Sequence, residues 1–371
     1  MNLSSVQQSA VVPIVGAILM PLRTGYGPEM AARLPDLFCV NVYKKGKIIA
    51  RTNNILRVEY EDGTKQGWKL GRFHGTAEGK TIAHTRVTDM EVGDKFEPGY
   101  IIAWSDEFFE RDPFVWPSVD MKMGALSHTA LLENNDTLED GSRISARLQK
   151  LMGTVMTKTK AIVLDVNQVI SGLVAVGERV EYDSVLCVIE EAVSAELEKT
   201  DAALAALGKL AGSNPKAGFA GTVSSMEVFY MAGLEEMHPS IRKIVEADDK
   251  RRTKYVEDTG DRASKTGLVR RATFIHGERI EDGKVVIVLN IDEVHDQGVG
   301  DKGSFCNQLK TIHGGVLIGE NYGAVDKLPI DAFFGYRSVN DRIVNSPIMQ
   351  GTVNTTMIAA SKEYARLFRE G

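Results

Sequence analysis

Glycine sets the tightest limit on what this chain can fold into. The sequence carries 35 glycines beside 11 prolines, with only 7% of its residues aromatic, so the backbone must turn often and tightly between short segments. From Leu37 to Leu70 the run LFCVNVYKKGKIIARTNNILRVEYEDGTKQGWKL is rich in β-formers and broken at Lys45-Gly46, Asn53-Asn54 and Asp62-Gly63. That pattern predicts a β-meander. Two later stretches match each other, VGDKFEPGYIIAWSDE from Val92 and VGERVEYDSVLCVIEE from Val176. Each reads as a glycine turn followed by a strand, and two copies are too few for a solenoid. They fit either two barrel-like units of one ancestry or one turn solution reached twice.

At 371 residues the length suggests two or three domains with cores of their own. Hydrophobic residues at 43%, charged residues at 25% and a net charge of -6 are ordinary globular values, and nothing global advertises a polyanion partner. The apolar stretch Ala10 to Leu22 holds Pro13 and Pro21 and follows a start without basic residues. It is too short for a membrane span and unlike a signal peptide, and reads as a packed extended arm or a short hydrophobic segment. Cys39, Cys187 and Cys306 are odd in number and widely spaced, which fits a reducing compartment. Helical spacing appears in Glu190 to Ala211 and again in Thr355 to Arg369, where Met357, Ile358, Tyr364, Leu367 and Phe368 gather near one face. Between Ser240 and Arg271 acidic and basic residues interleave, predicting a solvated helix and loop.

Three chemical motifs are weak. His74 to Thr81 ends in Gly-Lys-Thr, but histidine stands where a phosphate loop has its first glycine, and no helical pattern follows; it reads as a loop. Met121-Lys122-Met123 is the tripeptide that carries biotin in carrier domains, here without matching strands on either side. Asp292, Glu293, His295, Asp296, Asp301 and His313 are metal-ligand types without a metal-site order.

A fourth set is more informative. Lys302 and Lys310 flank Gly-Ser-Phe-Cys-Asn-Gln-Leu, just after Gly300-Asp301 and the β-run KVVIVLNID. Two lysines across a tight loop can both reach phosphates. Arg337 and Arg342 follow a further strand pattern, where an arginine suits bidentate phosphate capture, and Glu139-Asp140 lies in a polar turn. An acidic pair, two lysines and an arginine are ingredients of nucleotidyl transfer.

The order of these motifs resembles the C-terminal half of the β subunit of multisubunit DNA-dependent RNA polymerases, in a divergent split form like that of giant bacteriophages. The family's G-D-K-x7-K is similar to Gly300-Asp301-Lys302 and Lys310. Its P-V-D-I-V-x-N-P-x-G-V-P-S-R-M is similar to Pro329 through Ile343, reaching Arg342. Its Y-N-F-E-D-S-I segment looks like Asp136 through Ser145, with Glu139-Asp140, and its flap-region glycine pattern looks like Pro215 through Phe229. The likeness is collinear from about Leu37 to Lys362. The departures are local: GSFCNQL replaces the family's segment between the lysines, Asn340 and Asp341 stand before Arg342, and N-A-D-F-D-G-D does not occur.

The resemblance implies a mainly β fold with some α, multidomain. It would hold a 1–36 N-terminal arm, a 37–175 hybrid-binding β region of sandwich-barrel type with the acidic pair, a 176–275 flap and wall, and a 276–371 double-psi β-barrel, one of two that face each other across the active site, with a C-terminal helix. It implies that Lys302, Lys310 and Arg342 bind phosphates, and that Glu139 and Asp140 lie near a second Mg²⁺. The catalytic Mg²⁺ itself would be held mainly by a partner β′-like chain, and the clamp-anchoring segment would lie on another polypeptide. Partners would be other polymerase chains, template DNA, nascent RNA, nucleoside triphosphates and an initiation factor at the flap, in the host cytoplasm or the virion, with no membrane. The rival readings are a barrel-type carrier domain and a structural β-protein of a virion.

Overall fold

The computed structural model describes residues 1–7, 10–23, 25–77, 80–113, 115, 117–190, 214–306, 308–342 and 345–370. It is mainly β with some α, and most of its strands fall into two large sheets. The helix expected over Glu190 to Ala211 lies outside the described residues, apart from Glu190, which closes the strand Val188–Glu190. No helix among the described residues is long and apolar enough to cross a membrane.

The meander forms: Gly46–Arg51, Ile55–Tyr60 and Lys65–Lys69 pair antiparallel in sequence order, with Lys95–Phe96 on the outer edge. Its apolar face buries Ile48, Leu56, Val58 and Phe96. The first large sheet is built on three long strands, Thr154–Asp165, Gly221–Met231 and Lys284–His295. The middle one carries the unbroken apolar run because both its faces are covered. Val285, Ile287, Leu289 and Ile291 enter one core cluster, while Val286 and Val288 enter another with Ile280. His74 to Thr81 is neither phosphate loop nor simple loop: Gly71–Ala77 and Lys80–Val87 pair as an antiparallel hairpin on this sheet.

The charged segment after Ser240 is more than a solvated face. Helix Pro239–Thr259 starts on a proline, ends on Gly260 in the left-handed region and turns Ile241, Val245 and Asp248 inward. Buried Asp248 accepts from Arg251, Arg252 and the Val228 amide, so alternating charge conceals a satisfied inner contact.

The second large sheet runs Ala125–Leu126, Asn2–Gln7, Lys302–Phe305, Leu309–Val316, Gly141–Ile144, Ala332–Phe334, Thr129–Leu131. Most pairs are antiparallel, but Thr129–Leu131 runs parallel to Ala332–Phe334, and Gly141–Ile144 runs parallel to Leu309–Val316. Its core joins Leu3, Ile144, Leu148, Phe305, Leu309 and Phe334, with the Phe305 and Phe334 rings 4.7 Å apart.

This sheet corrects the expected segmentation. Within the expected 1–36 arm, Asn2–Gln7 is an interior strand of this sheet, its Ser4 opposite Ser304 and its Val6 opposite Lys302. Strands from 125–144 and 302–334 share one ladder, and 284–295 pairs with 154–165 and 221–231. The expected boundaries at 175 and 275 therefore cut through continuous hydrogen-bonded sheets. Helix Ser346–Glu370 covers the expected C-terminal helix, but its apolar side chains do not pack inward. Pro347 and Asn354 are its buried residues, while Tyr364 is 74% and Phe368 90% exposed.

Candidate functional site

The turn that delivers Lys302 explains the two residues before it. Asp301 N–H bonds back to the Gly298 carbonyl at 3.2 Å, the Asp301 carboxylate accepts from the Gly298 amide at 2.7 Å, and Gly300 has φ +91°. This is a type II turn, whose third position requires positive φ. The two matched stretches use the same device. Gly93 has φ +99° with Asp94 capping the Glu91 amide at 2.7 Å, and Gly177 has φ +91° with Glu178 capping the Ala175 amide at 2.9 Å. Val92-Gly93-Asp94-Lys95 even repeats the tetrapeptide Val299 to Lys302. Glycine and aspartate in this motif are thus turn chemistry, and its functional content rests on the lysines.

Lys302 and Lys310 sit on adjacent antiparallel strands, Lys302 opposite Ile312 and Ser304 opposite Lys310. Opposed residues share a face, so the two lysines are diagonal neighbours about 7–8 Å apart at the backbone. Both are exposed. Gly303, Phe305, Leu309, Thr311 and His313 occupy the opposite, buried face of the same strands. Among the described residues neither ammonium has a carboxylate partner, whereas Lys44, Lys47, Lys69, Lys158 and Lys284 are all paired. Two uncompensated like charges on neighbouring strands repel; an anion between them removes that penalty.

The acidic pair and the arginine come to the same place from the other side. Asp140 immediately precedes Gly141–Ile144, and its backbone carbonyl accepts from the Ile312 amide at 3.0 Å, two residues beyond Lys310. Its carboxylate is ion-paired with Arg342, which follows the short helix Tyr336–Asn340. Glu139 is exposed at φ +53°, in a left-handed turn closed by Gly141 N–H to the Leu138 carbonyl. A non-glycine residue there stores about 1–2 kcal/mol of strain, a frequent feature of functional sites. Arg337 lies in that short helix, where its backbone amide donates to the Glu133 carboxylate at 3.0 Å.

The structure thus brings Lys302 and Lys310 onto neighbouring strands and the backbone of Asp140 against the second of them, with Arg342 paired to Asp140 and Glu139 next to it in the turn. It also shows that Asp140 and Arg342 neutralise each other, a pairing the separation of 202 residues hid. Both are partly exposed, so the pair contributes only about 0–1 kcal/mol and yields readily to a stronger ligand. Two adjacent carboxylates, one already held by an arginine, do not form a closed coordination shell for a resident Mg²⁺. Among the described residues no three ligand-type side chains gather for a metal. Of the carboxylates noted earlier, Asp292 is engaged with Arg72 and Thr157, Glu293 with Lys158 and Asp301 with the Gly298 amide.

Lys122 does not present itself as a carrier lysine. It is half-buried, its amide bonds the Phe108 carbonyl at 2.8 Å, and it follows strand Val119–Met121 without standing at a hairpin tip. The three thiols are buried, and burial pushes Cys39 up to about 12 and Cys187 to about 11, so both stay protonated and unreactive.

Sequence reasoning missed the polar residues under the lysine face. Thr311, Ser142 and His313 are fully buried and hydrogen-bonded to one another. Burial lowers His313 to about 4, only partly opposed by the nearby Asp301 charge. Its folded value lies below the ordinary 6.5 of an unfolded histidine, so the unfolded chain binds the extra proton. Stability from this group is complete above pH 6.5 and drains away as pH falls toward 4, by about 3 kcal/mol. Burial lowers His74 and His84 as well, so comparison with His313→Gln isolates one residue. Denaturant unfolding between pH 7 and 4.5 should show a steeper acid loss in the parent chain than in the variant; equal slopes would remove the buried neutral imidazole from the account.

No family model matches this chain, and no curated protein matches it either.

Proposed function

We propose that this chain is a β-like subunit fragment of a multisubunit DNA-dependent RNA polymerase, supplying phosphate-binding cations to template-directed nucleotidyl transfer. The observation that carries the proposal is the pair Lys302 and Lys310. They are exposed, without carboxylate partners and diagonal across one hairpin, whose second strand also holds the backbone of Asp140, the ion-pair partner of Arg342. Such a surface is incomplete without a polyanion. Fixed cations aimed at phosphates offset the charge that gathers as a 3′-hydroxyl attacks an α-phosphorus, and they do so without reorganisation.

The sheet that bears them supports the finer reading of a double-psi β-barrel. Two chain segments interlock, each contributing a strand parallel to a strand of the other. Arg342 is then the group that exchanges Asp140 for a triphosphate, since the exposed pair is cheap to break. The exchange would leave Asp140, with Glu139 beside it, near the second Mg²⁺ that accompanies the triphosphate. The catalytic Mg²⁺ would be held mainly by aspartates of a β′-like partner, which supplies the other half of the active site. In this reading the region from about 176 to 275 is the flap and wall, where RNA leaves and an initiation factor docks. Template DNA, nascent RNA and nucleoside triphosphates are the ligands, and the complex works in the host cytoplasm or travels in the virion.

The test is reconstitution. This chain, co-purified with the polypeptide that carries N-A-D-F-D-G-D, should extend an RNA primer on a DNA template with Mg²⁺ and nucleoside triphosphates, and neither chain should do so alone. Extension by this chain alone overturns the subunit reading, and a stable complex inert on primed template overturns the polymerase reading.

A further inference from the structure

Directly beneath the lysines, a chain of buried polar atoms links an imidazole to the backbone of the acidic pair. The Thr311 Oγ1 lies 2.8 Å from the Asp140 carbonyl oxygen, the Thr311 and Ser142 hydroxyl oxygens are 2.7 Å apart, and Ser142 Oγ lies 2.9 Å from His313 Nδ1. Counting protons gives the direction. Thr311 is placed to donate to either oxygen, but it has a single hydrogen, and because a carbonyl oxygen only accepts while the serine hydroxyl can also donate, that hydrogen goes to Asp140. Thr311 is then the acceptor of its contact with Ser142, which uses the serine hydrogen. His313 Nδ1 must therefore carry the proton it shares with Ser142, and Nε2 is left as a bare lone pair. That matches its surroundings: Nε2 has no partner, and it lies against Gly303, where even a methyl group would come within 3.0 Å.

The backbone around Asp140 needs such a clamp. Upstream is the left-handed Glu139, and downstream the pairing of Gly141–Ile144 with Leu309–Val316 slips register between Ser142 and Arg143. With strain on one side and an irregularity on the other, the ladder alone does not fix where Asp140 sits. The Asp140 carbonyl is instead held twice by one strand, through the Ile312 amide and the Thr311 hydroxyl.

We propose that His313, acting through Ser142 and Thr311, is a positioning group that locks the Asp140 backbone onto the 309–316 strand and so holds Arg342 in register with Lys302 and Lys310. The relay stands on geometry alone; its consequence for nucleotide addition rests on the polymerase reading.

In the isolated full chain, ¹⁵N spectra of the His313 ring should show a protonated Nδ1 and an unprotonated Nε2. The opposite tautomer overturns the relay, and this readout needs no variant. Thr311→Val, nearly isosteric, should speed amide exchange at Ile312 about tenfold, the effect of one buried hydrogen bond. Thr311→Ser should restore parent exchange, and amides of the 154–165 and 284–295 strands should not change. Unaltered Ile312 protection in Thr311→Val also overturns the proposal. In the reconstituted complex, Thr311→Val should slow nucleotide addition at saturating triphosphate about tenfold, with rescue by serine. Parent-like addition by Thr311→Val overturns the positioning role. If the reconstituted complex adds no nucleotides at all while the tautomer and exchange results hold, the polymerase reading fails and the relay survives.

Discussion

Lys302→Ala and Lys310→Ala should each slow nucleotide addition by the assembled enzyme about 10²- to 10³-fold, the usual loss when one preorganised group facing developing charge is removed. Folding and assembly should not suffer. Both side chains are exposed, and the residues that hold their strands, Phe305, Leu309 and Thr311 among them, point to the other face. The free chain should change in stability by no more than about 0.5 kcal/mol, and relief of repulsion between the two ammonium groups works in its favour. The lysines act on a shared polyanion, so the double variant should lose less than the product of the single losses. Single-turnover incorporation on a primed template, with assembly checked by co-purification, separates the two effects. Near-parent incorporation by either variant removes that lysine from the site, and loss of assembly removes the claim that the lysines are purely functional.

What the sequence made legible is what short-range chemistry determines. Glycine turns marked the meander. The likeness between the stretches from Val92 and Val176 turned out to be a shared type II turn with an acid capping the amide three residues earlier, a device that Asp301 uses a third time. Its recurrence favours one turn solution used repeatedly and needs no common ancestry. The spacing of Lys302 and Lys310 also survived into geometry, because a tight hairpin returns residues of like parity to one face.

Long-range partners were not legible. Nothing in the first seven residues announced that they would lie beside 302–305, and nothing in Asp140 named Arg342. Only the folded ladder brings them together. The buried relay left a fainter signal: Leu309, Thr311 and His313 alternate with exposed Lys310 and Ile312. A period-two reading from Leu309 places the threonine and histidine inside, where polar groups must find partners.

Asp331→Ala should destabilise the chain by about 2–3 kcal/mol, and Asp331→Asn by only about 1 kcal/mol. The residue is 3% exposed. Its Oδ2 accepts from the His128 amide at 2.9 Å and from Arg147 Nη2 at 2.6 Å, while Oδ1 accepts from Arg147 Nε at 2.9 Å. Arg147 is half exposed and returns to water cheaply, so the charge is the smaller part of the loss. The larger part is the amide of His128, at the mouth of the parallel pair Thr129–Leu131 and Ala332–Phe334. Alanine strands that donor. Asparagine serves it by placing its carbonyl at the Oδ2 position and turning its amide toward Ser145, whose hydroxyl can accept. The damage should spread to the site, because Phe334 on the same strand lies opposite Ser142, the middle member of the relay. Urea unfolding at pH 7 should show a lower midpoint with an unchanged slope, in the order parent, asparagine, alanine. An asparagine variant as weak as alanine would place the stabilisation in the ion pair with Arg147, and Asp331 would then hold the sheet through its charge rather than through the bond from the His128 amide to Oδ2.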